Sequence, residues 1–197
     1  MSRTASAPNA TLTDLRACAN DKSSHVRRWV SEDTRPYLPW GTRVPALVRE
    51  PSHGLALLEL LRGDPSLYVR TSLANHLNDV SKLDAEAALS TVRRWLADGV
   101  PRAEWIAHRA LRGLVKAGHA GALAAFGVDT RTSARVTRFQ LATSSVRVGE
   151  QLALEATIAG ETSERLVVDY GVLFPGARDR VSRKVFKWAA RSIDAGE

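Results

Sequence analysis

The sequence predicts a mainly α protein, an array of helical repeats followed by a small antiparallel β unit. Three observations predict it. Apolar residues recur at helical spacing as far as residue 130. From residue 131 the pattern turns to runs rich in Val, Thr and Phe, separated by Gly and Pro. The helical part also repeats itself. Asp21-x4-Val26-Arg27 recurs as Asp64-x4-Val69-Arg70, 43 residues on, and Ile106, Ala110 and Leu114 follow Val69, Leu73 and Leu77 at an offset of 37.

Repeats of about 40 residues built from helix pairs are the HEAT-like pattern. Each pair buries one face on its neighbours and leaves a concave surface for a large ligand. In such arrays an Asp and an Arg can tie adjacent units together, a scaffold role open to Asp21, Arg27, Asp64 and Arg70.

The elements follow in order. Residues 1–12, MSRTASAPNATL, are expected as a disordered leader, and residues 13–130 as the HEAT-like repeat domain. A helix containing His25 is halted by Pro36 and Pro39. Short helices are expected near 43–49, 54–62 and 119–125. Asp64-Pro65 reads as an N-cap and first helical position, opening a helix through about Asn78. Asp84 caps the next, with Ala88, Leu89, Val92, Trp95 and Leu96 on its apolar side. Ile106, Ala110, Leu111, Leu114 and Val115 mark one more, ended by Gly118. In residues 131–197, strands are expected at 134–141, 146–148, 152–156, 166–174 and 184–188, with turns at Gly149, Gly160, Pro175 and Gly176. Four or five strands fall short of the roughly seven of an immunoglobulin-like sandwich.

Composition narrows the function classes. Of 197 residues 44% are apolar and 25% charged, the values of an ordinary globular chain. No apolar run reaches the roughly 18 residues of a membrane-spanning helix, and the N-terminus has no apolar segment of a secretory signal. The one cysteine, Cys18, forms no internal disulfide and reads as a small core residue; a reducing, cytoplasmic compartment is expected. The 28 basic residues, 23 of them Arg, exceed the 21 acidic ones, giving a net charge of +7. Such a surface favours a polyanion such as DNA or RNA.

Two segments depart from plain scaffolding. HVRRWVSEDTRPYLPW, residues 25–40, sets Glu32, Arg35, Tyr37 and Trp40 around two prolines, which stiffen the turn that carries the rings. A helix–helix corner packed by aromatic rings is the plainer reading. In SLANHLNDVSK, residues 72–82, Leu73, Leu77 and Val80 can face the core. That leaves Asn75, His76, Asn78 and Asp79 at a helix C-terminus, where the dipole disfavours a carboxylate. A cluster that breaks local preference marks a candidate site, with loop-capping hydrogen bonds as the alternative. His76 and His108 read as hydrogen-bonded repeat residues rather than bases. The histidines show no zinc-ligand spacing and there is no Gly-rich phosphate loop, so neither metal nor cofactor is expected.

These segments, with WIAHRALRGLVKAG, LVVDYGVLF and RKVFKW, resemble the AlkC-type DNA alkylation repair glycosylases, a HEAT-like repeat family related to AlkD. The resemblance runs from about residue 13 to 190. It implies removal of 3-methyladenine and related cationic bases from double-stranded DNA by hydrolysis of the N-glycosidic bond; separately, no membrane and no obligate protein partner are expected. It also implies that residues 131–197 are a partial immunoglobulin-like domain. The family's S-E-G-T-R-P Glu, the Trp after it and the Asp of N-H-L-N-D match Glu32, Trp40 and Asp79, the expected catalytic residues. Asp33 stands where the family has Gly. The chain contains no motif like the family's upstream T-E-F-A-I-R-P, so it is expected to be N-terminally shortened.

The chemistry is consistent with those residue types. Loss of an alkylated purine leaves a sugar with cationic character, which a carboxylate stabilises while positioning water. An aromatic face attracts the cationic base. The base departs neutral, so no general acid is required. Arg27, Arg28, Arg35, Arg70, Lys184 and Lys187 are the expected phosphate contacts. The rival reading is a non-catalytic HEAT-repeat module that binds DNA or protein.

Overall fold

The computed structural model describes residues 8–39, 41, 43–177 and 180–195. It divides into two compact units, Met1–Ala122 and Leu123–Glu197.

The first unit is helical: α1 (Pro8–Cys18), α2 (Ser24–Asp33), α3 (Pro45–Arg49), α4 (Ser52–Leu61), α5 (Leu67–Val80), α6 (Ala85–Ala97), α7 (Ala103–Ala110) and α8 (Arg112–Lys116), with α9 (Ala120–Ala124) at the division. Helices α2, α5 and α7 pack side by side, and α1, α4 and α6 lie behind them. Between the layers, Val30, Leu57, Leu58, Val69, Leu73, Leu77, Leu89 and Ile106 have no exposed surface. At roughly 1.5–3 kcal/mol for each large side chain withdrawn from water, this core holds the array together.

The repeat is written in hydrogen bonds. Asp21 Oδ1 accepts from the Ser23 amide at 2.7 Å, and Asp64 Oδ1 from the Ser66 amide at 2.8 Å. Arg27 Nη1 donates to the carbonyls of Asp21 and Lys22, at 2.9 and 3.1 Å. Arg70 Nη1 donates to those of Asp64 and Pro65, at 3.3 and 2.7 Å. Arg27 also grips Asp64 across the joint, Nε to Oδ2 at 2.6 Å and Nη2 to Oδ1 at 3.2 Å.

Four local expectations change. Helix α1 begins at Pro8, inside the stretch expected as a disordered leader; proline suits a first helical turn, and buried Leu15 anchors the helix. Residues 1–7 lie outside the described ones. Ser66, not Asp64, is the N-cap position of α5, because Asp64 is spent on the turn and on Arg27. The single helix expected over 106–115 breaks at Leu111, where Asn78 Nδ2 reaches across to take the Ala110 carbonyl at 2.8 Å. Cys18 is half-buried rather than core. Asp84 does cap α6, its side chain accepting from the Ala87 amide at 2.9 Å.

In the second unit, β1 (Arg135–Leu141) pairs antiparallel with β2 (Leu154–Ala159), and β3 (Glu164–Pro175) with β4 (Val181–Ile193). Each sheet has two strands. Residues 146–148 alternate but do not form a strand. The Arg147 amide donates to Glu150 Oε2, and the Glu150 amide returns to the Arg147 carbonyl, closing a turn that contains Gly149 at φ 95°. Alternation needs a partner strand, and among the described residues none pairs with it. Residues of β2, β3 and β4, among them Ile158, Leu166, Ala189 and Ile193, line a cavity of about 340 Å³.

Candidate active site

Helices α2 and α5 bring the two expected carboxylates onto one arginine. Glu32 lies in the last turn of α2, and Arg35 follows just beyond it. Arg35 Nη1 donates to Glu32 Oε1 at 2.7 Å, while its Nε and Nη2 both lie 2.8 Å from Asp79 Oδ2. Lys82 Nζ holds the other Asp79 oxygen at 3.1 Å. Glu32 Oε2 takes the Ser72 hydroxyl at 2.5 Å and lies 3.1 Å from Arg28 Nη2. Two carboxylates thus share three cations, Arg28, Arg35 and Lys82.

The two carboxylates are not equally open. The Glu32 side chain keeps 24% of its surface exposed, and that of Asp79 only 3%. Burial opposes the charge of Glu32. The Ser72 and Arg35 hydrogen bonds and the charges of Arg35 and Arg28 outweigh it, holding the carboxyl below its ordinary value. Burial likewise opposes the Arg35 charge, but its bonds to Asp79 and Glu32 raise its proton affinity further.

Beneath the ion pairs lies a buried polar layer. Ser31 donates to Ser72 Oγ at 2.8 Å, so the Ser72 proton is left for Glu32. His76 has no exposed surface, and its Nδ1–H donates to the Ser31 carbonyl at 2.9 Å. Burial pushes the imidazole down to about 4, and neutral His76 leaves Nε2 buried without a partner. Gly54 of α4 backs that nitrogen; a Cβ there would stand 2.7 Å away.

The other expected residues separate. Arg27 is committed to Asp64 and to two carbonyls, as the scaffold role requires. Arg70 is nearly buried. Arg28 stacks on Tyr68, 4.2 Å from the ring centroid, and donates to the Tyr68 carbonyl at 2.9 Å. Lys184 and Lys187 belong to the second unit, both exposed on β4, with Lys184 Nζ 5.1 Å from the Phe174 ring centroid. Trp40 lies outside the described residues. Tyr37 is described, between Arg43 at 5.0 Å and Lys82 at 5.5 Å from its ring centroid. Of the cluster Asn75, His76, Asn78 and Asp79, Asp79 joins the ion pairs, whereas Asn78 and His76 bond backbone carbonyls.

Sequence reasoning did not single out Ser31, Ser72 or Lys82 for the site. The signal was present for Ser72, which stands seven residues, two helical turns, before Asp79. Among the described residues no cluster of His, Cys, Asp or Glu could hold a metal ion. No described helix is long and apolar enough to cross a membrane.

Residues 135–197 match the family described as the C-terminal Ig-like domain of the uncharacterised protein YhaZ. The chain is 36% identical over 186 residues to the uncharacterized protein YhaZ of Bacillus subtilis (strain 168), covering 94% of this chain and 52% of that protein. It superposes on the Pseudomonas fluorescens alkylpurine DNA glycosylase AlkC, solved bound to DNA containing an abasic site analog, with a TM-score of 0.90 and 34% identity, covering 98% of this chain and 54% of that one. The chain spans about half the length of the relatives it matches. In sequence and in fold, this chain is similar to AlkC and to YhaZ over about half of their length.

Proposed function

We propose that the protein is a DNA glycosylase of base-excision repair, removing 3-methyladenine and related cationic bases from double-stranded DNA by hydrolysis of the N-glycosidic bond. One observation carries the reading. Glu32 and Asp79, from separate helices, converge on Arg35, and Glu32 is kept ionised while partly open to solvent. Similarity to a DNA-bound alkylpurine glycosylase supports the same reading.

Chemically, a positively charged purine is already a good leaving group, and the cost lies in the cationic sugar left behind. A fixed carboxylate near the anomeric carbon lowers that cost and orients the attacking water. Glu32 is the carboxylate a sugar can approach. Asp79 supplies the second negative charge and fixes Arg35. In the free protein three cations offset these two charges. Lys82 is half exposed and Arg28 partly so. Both are drawn to phosphates when DNA arrives, leaving Glu32 and Asp79 with Arg35 alone. Trp40 is assigned to the face of the lesioned nucleotide, and Lys184 and Lys187 to the DNA backbone. Arg27 is left to the scaffold. A cytoplasmic setting accords with a lone, unpaired thiol.

Single-turnover release of 3-methyladenine from duplex DNA tests the assignment. Glu32→Gln is expected to keep DNA affinity within a few fold and slow release by on the order of a hundredfold, because the amide keeps the shape and loses the charge. Asp79→Asn is expected to slow it comparably. Release at the unmodified rate in both variants removes the site. DNA binding without any release by the unmodified chain selects the non-catalytic module instead.

A further inference from the structure

We propose that Arg70 and Arg102, at the start of α7, form an oxyanion site that takes a backbone phosphate of bound DNA; the identity of the phosphate rests on the DNA reading above.

The repeat itself locates the site. At the first joint, Arg27 turns its Nε and Nη2 onto the carboxylate of Asp64, in the next unit, while Nη1 caps its own turn. Arg70 makes the same turn contacts one unit later. Its Nε should then meet a carboxylate from the third unit. The chain there reads Val100-Pro101-Arg102, with no acid. Asp64, the acid of its own turn, is held by Arg27. Arg70 is only 8% exposed, and its Nε is buried without a hydrogen-bond partner. A buried guanidinium N–H left unpaired is costly.

What stands at the empty joint is a second cation. Arg102 is exposed, occupies the N-cap position of α7 with φ 63°, and gives the helix no side-chain cap. Among the described residues no carboxylate pairs with it. Arg102 stands one helical turn before Trp105, the ring that the Arg70 guanidinium faces, and its charge, after burial, lowers the proton affinity of Arg70. Trp105 closes the side, with Arg70 at 5.7 Å and Arg109 at 5.8 Å from its ring centroid. Two guanidiniums and a helix N-terminus, at a position where the preceding joint holds a carboxylate, suit an oxyanion brought from outside.

The probes are inorganic phosphate and an undamaged DNA duplex, and the variant is Arg102→Asn, which removes the charge at an exposed position while tolerating the left-handed backbone. At fixed ionic strength, phosphate in place of chloride should raise the unfolding midpoint of the unmodified protein by about 2–5 °C. The variant should lose most of that rise. Its DNA affinity should fall several-fold, and the slope of log affinity against log salt should shrink by about one. Pro101→Asp, which restores a carboxylate at the joint, should also blunt the phosphate response. An undiminished response in Arg102→Asn, or none in the unmodified protein, overturns the site. A lost phosphate response with an unchanged DNA slope overturns the DNA assignment and leaves a site for free oxyanions. If the unmodified protein binds no duplex at low salt, the DNA reading fails by itself, and the phosphate arm still decides the site.

Discussion

The two units are built on different economies of contact. In the helical unit most apolar side chains are interior, with Trp29, Leu60, Leu67, Tyr68 and Trp105 among the large ones left exposed, and even polar Ser31, Ser72, His76 and Asp79 are buried beneath the surface. In the β unit the long hairpin of β3 and β4 is held by strand pairing, while Val136, Phe139, Leu141, Leu173, Phe174, Phe186 and Trp188 remain exposed. One unit depends on packing and buried charge, the other on backbone hydrogen bonds with a thin core around Leu166 and Ile193. A chemical site that must hold carboxylates in fixed positions belongs in the first kind of environment, because close packing leaves few alternative rotamers.

This contrast is open to direct tests. The largest effect is expected from Leu73→Ala in α5, which empties a fully buried position and should cost the helical unit about 2–5 kcal/mol in denaturant unfolding. A comparable loss from Leu173→Ala in β3 would break the contrast. Next, Arg35→Met strips both carboxylates of their shared partner. Leaving buried charge uncompensated should cost about 3 kcal/mol, and it should also abolish base release.

Acid supplies a third test, somewhat weaker per unit of pH. All five histidines lie at or before residue 119, within the helical unit. His76 binds its proton at about 4 when folded against 6.5 for the free side chain. Above pH 6.5 both states are neutral and its full contribution is present. As pH falls from 6.5 toward 4 the unfolded chain takes up a proton that the folded one refuses, so stability drops, by on the order of 3 kcal/mol in total. The depressed carboxyl of Glu32 adds to the loss only below its ordinary value near 4.5. Thermal melts followed unit by unit should show the helical transition falling over that range and the β transition holding; His76→Gln should flatten the decline. The smallest effect, under about 0.5 kcal/mol, is expected from Leu173→Ala, an exposed side chain on a paired strand.

Much of this was legible in the sequence, for reasons that differ by residue. Offsets of 43 and 37 exposed the repeat because each helix must present apolar positions to its neighbours at fixed intervals. Asp79 drew notice as an acid at the wrong end of a helix, and its neighbours Arg35 and Lys82 are the reason it is tolerated. The break at Leu111 was not legible, since it depends on Asn78, 32 residues away in a different helix. Nor was the failure of residues 146–148 to form a strand, because alternation describes a strand's two faces and not the presence of a partner. The split between Arg27 and Arg70 was hidden for the same reason: both sit in identical local motifs, and only the next unit's residues tell them apart.

The pairing of Gly54 with His76 has a consequence for how such a sequence can drift. Position 54 lacks a side chain because the imidazole Nε2 occupies its space, and the imidazole in turn holds the backbone of Ser31 next to Glu32. A change to any larger residue at 54 therefore has to be accompanied by a smaller one at 76, and that second change releases the carbonyl beside the carboxylate. Two positions on helices α4 and α5 are bound into one unit of inheritance, and a search of related chains should find them altered together or not at all.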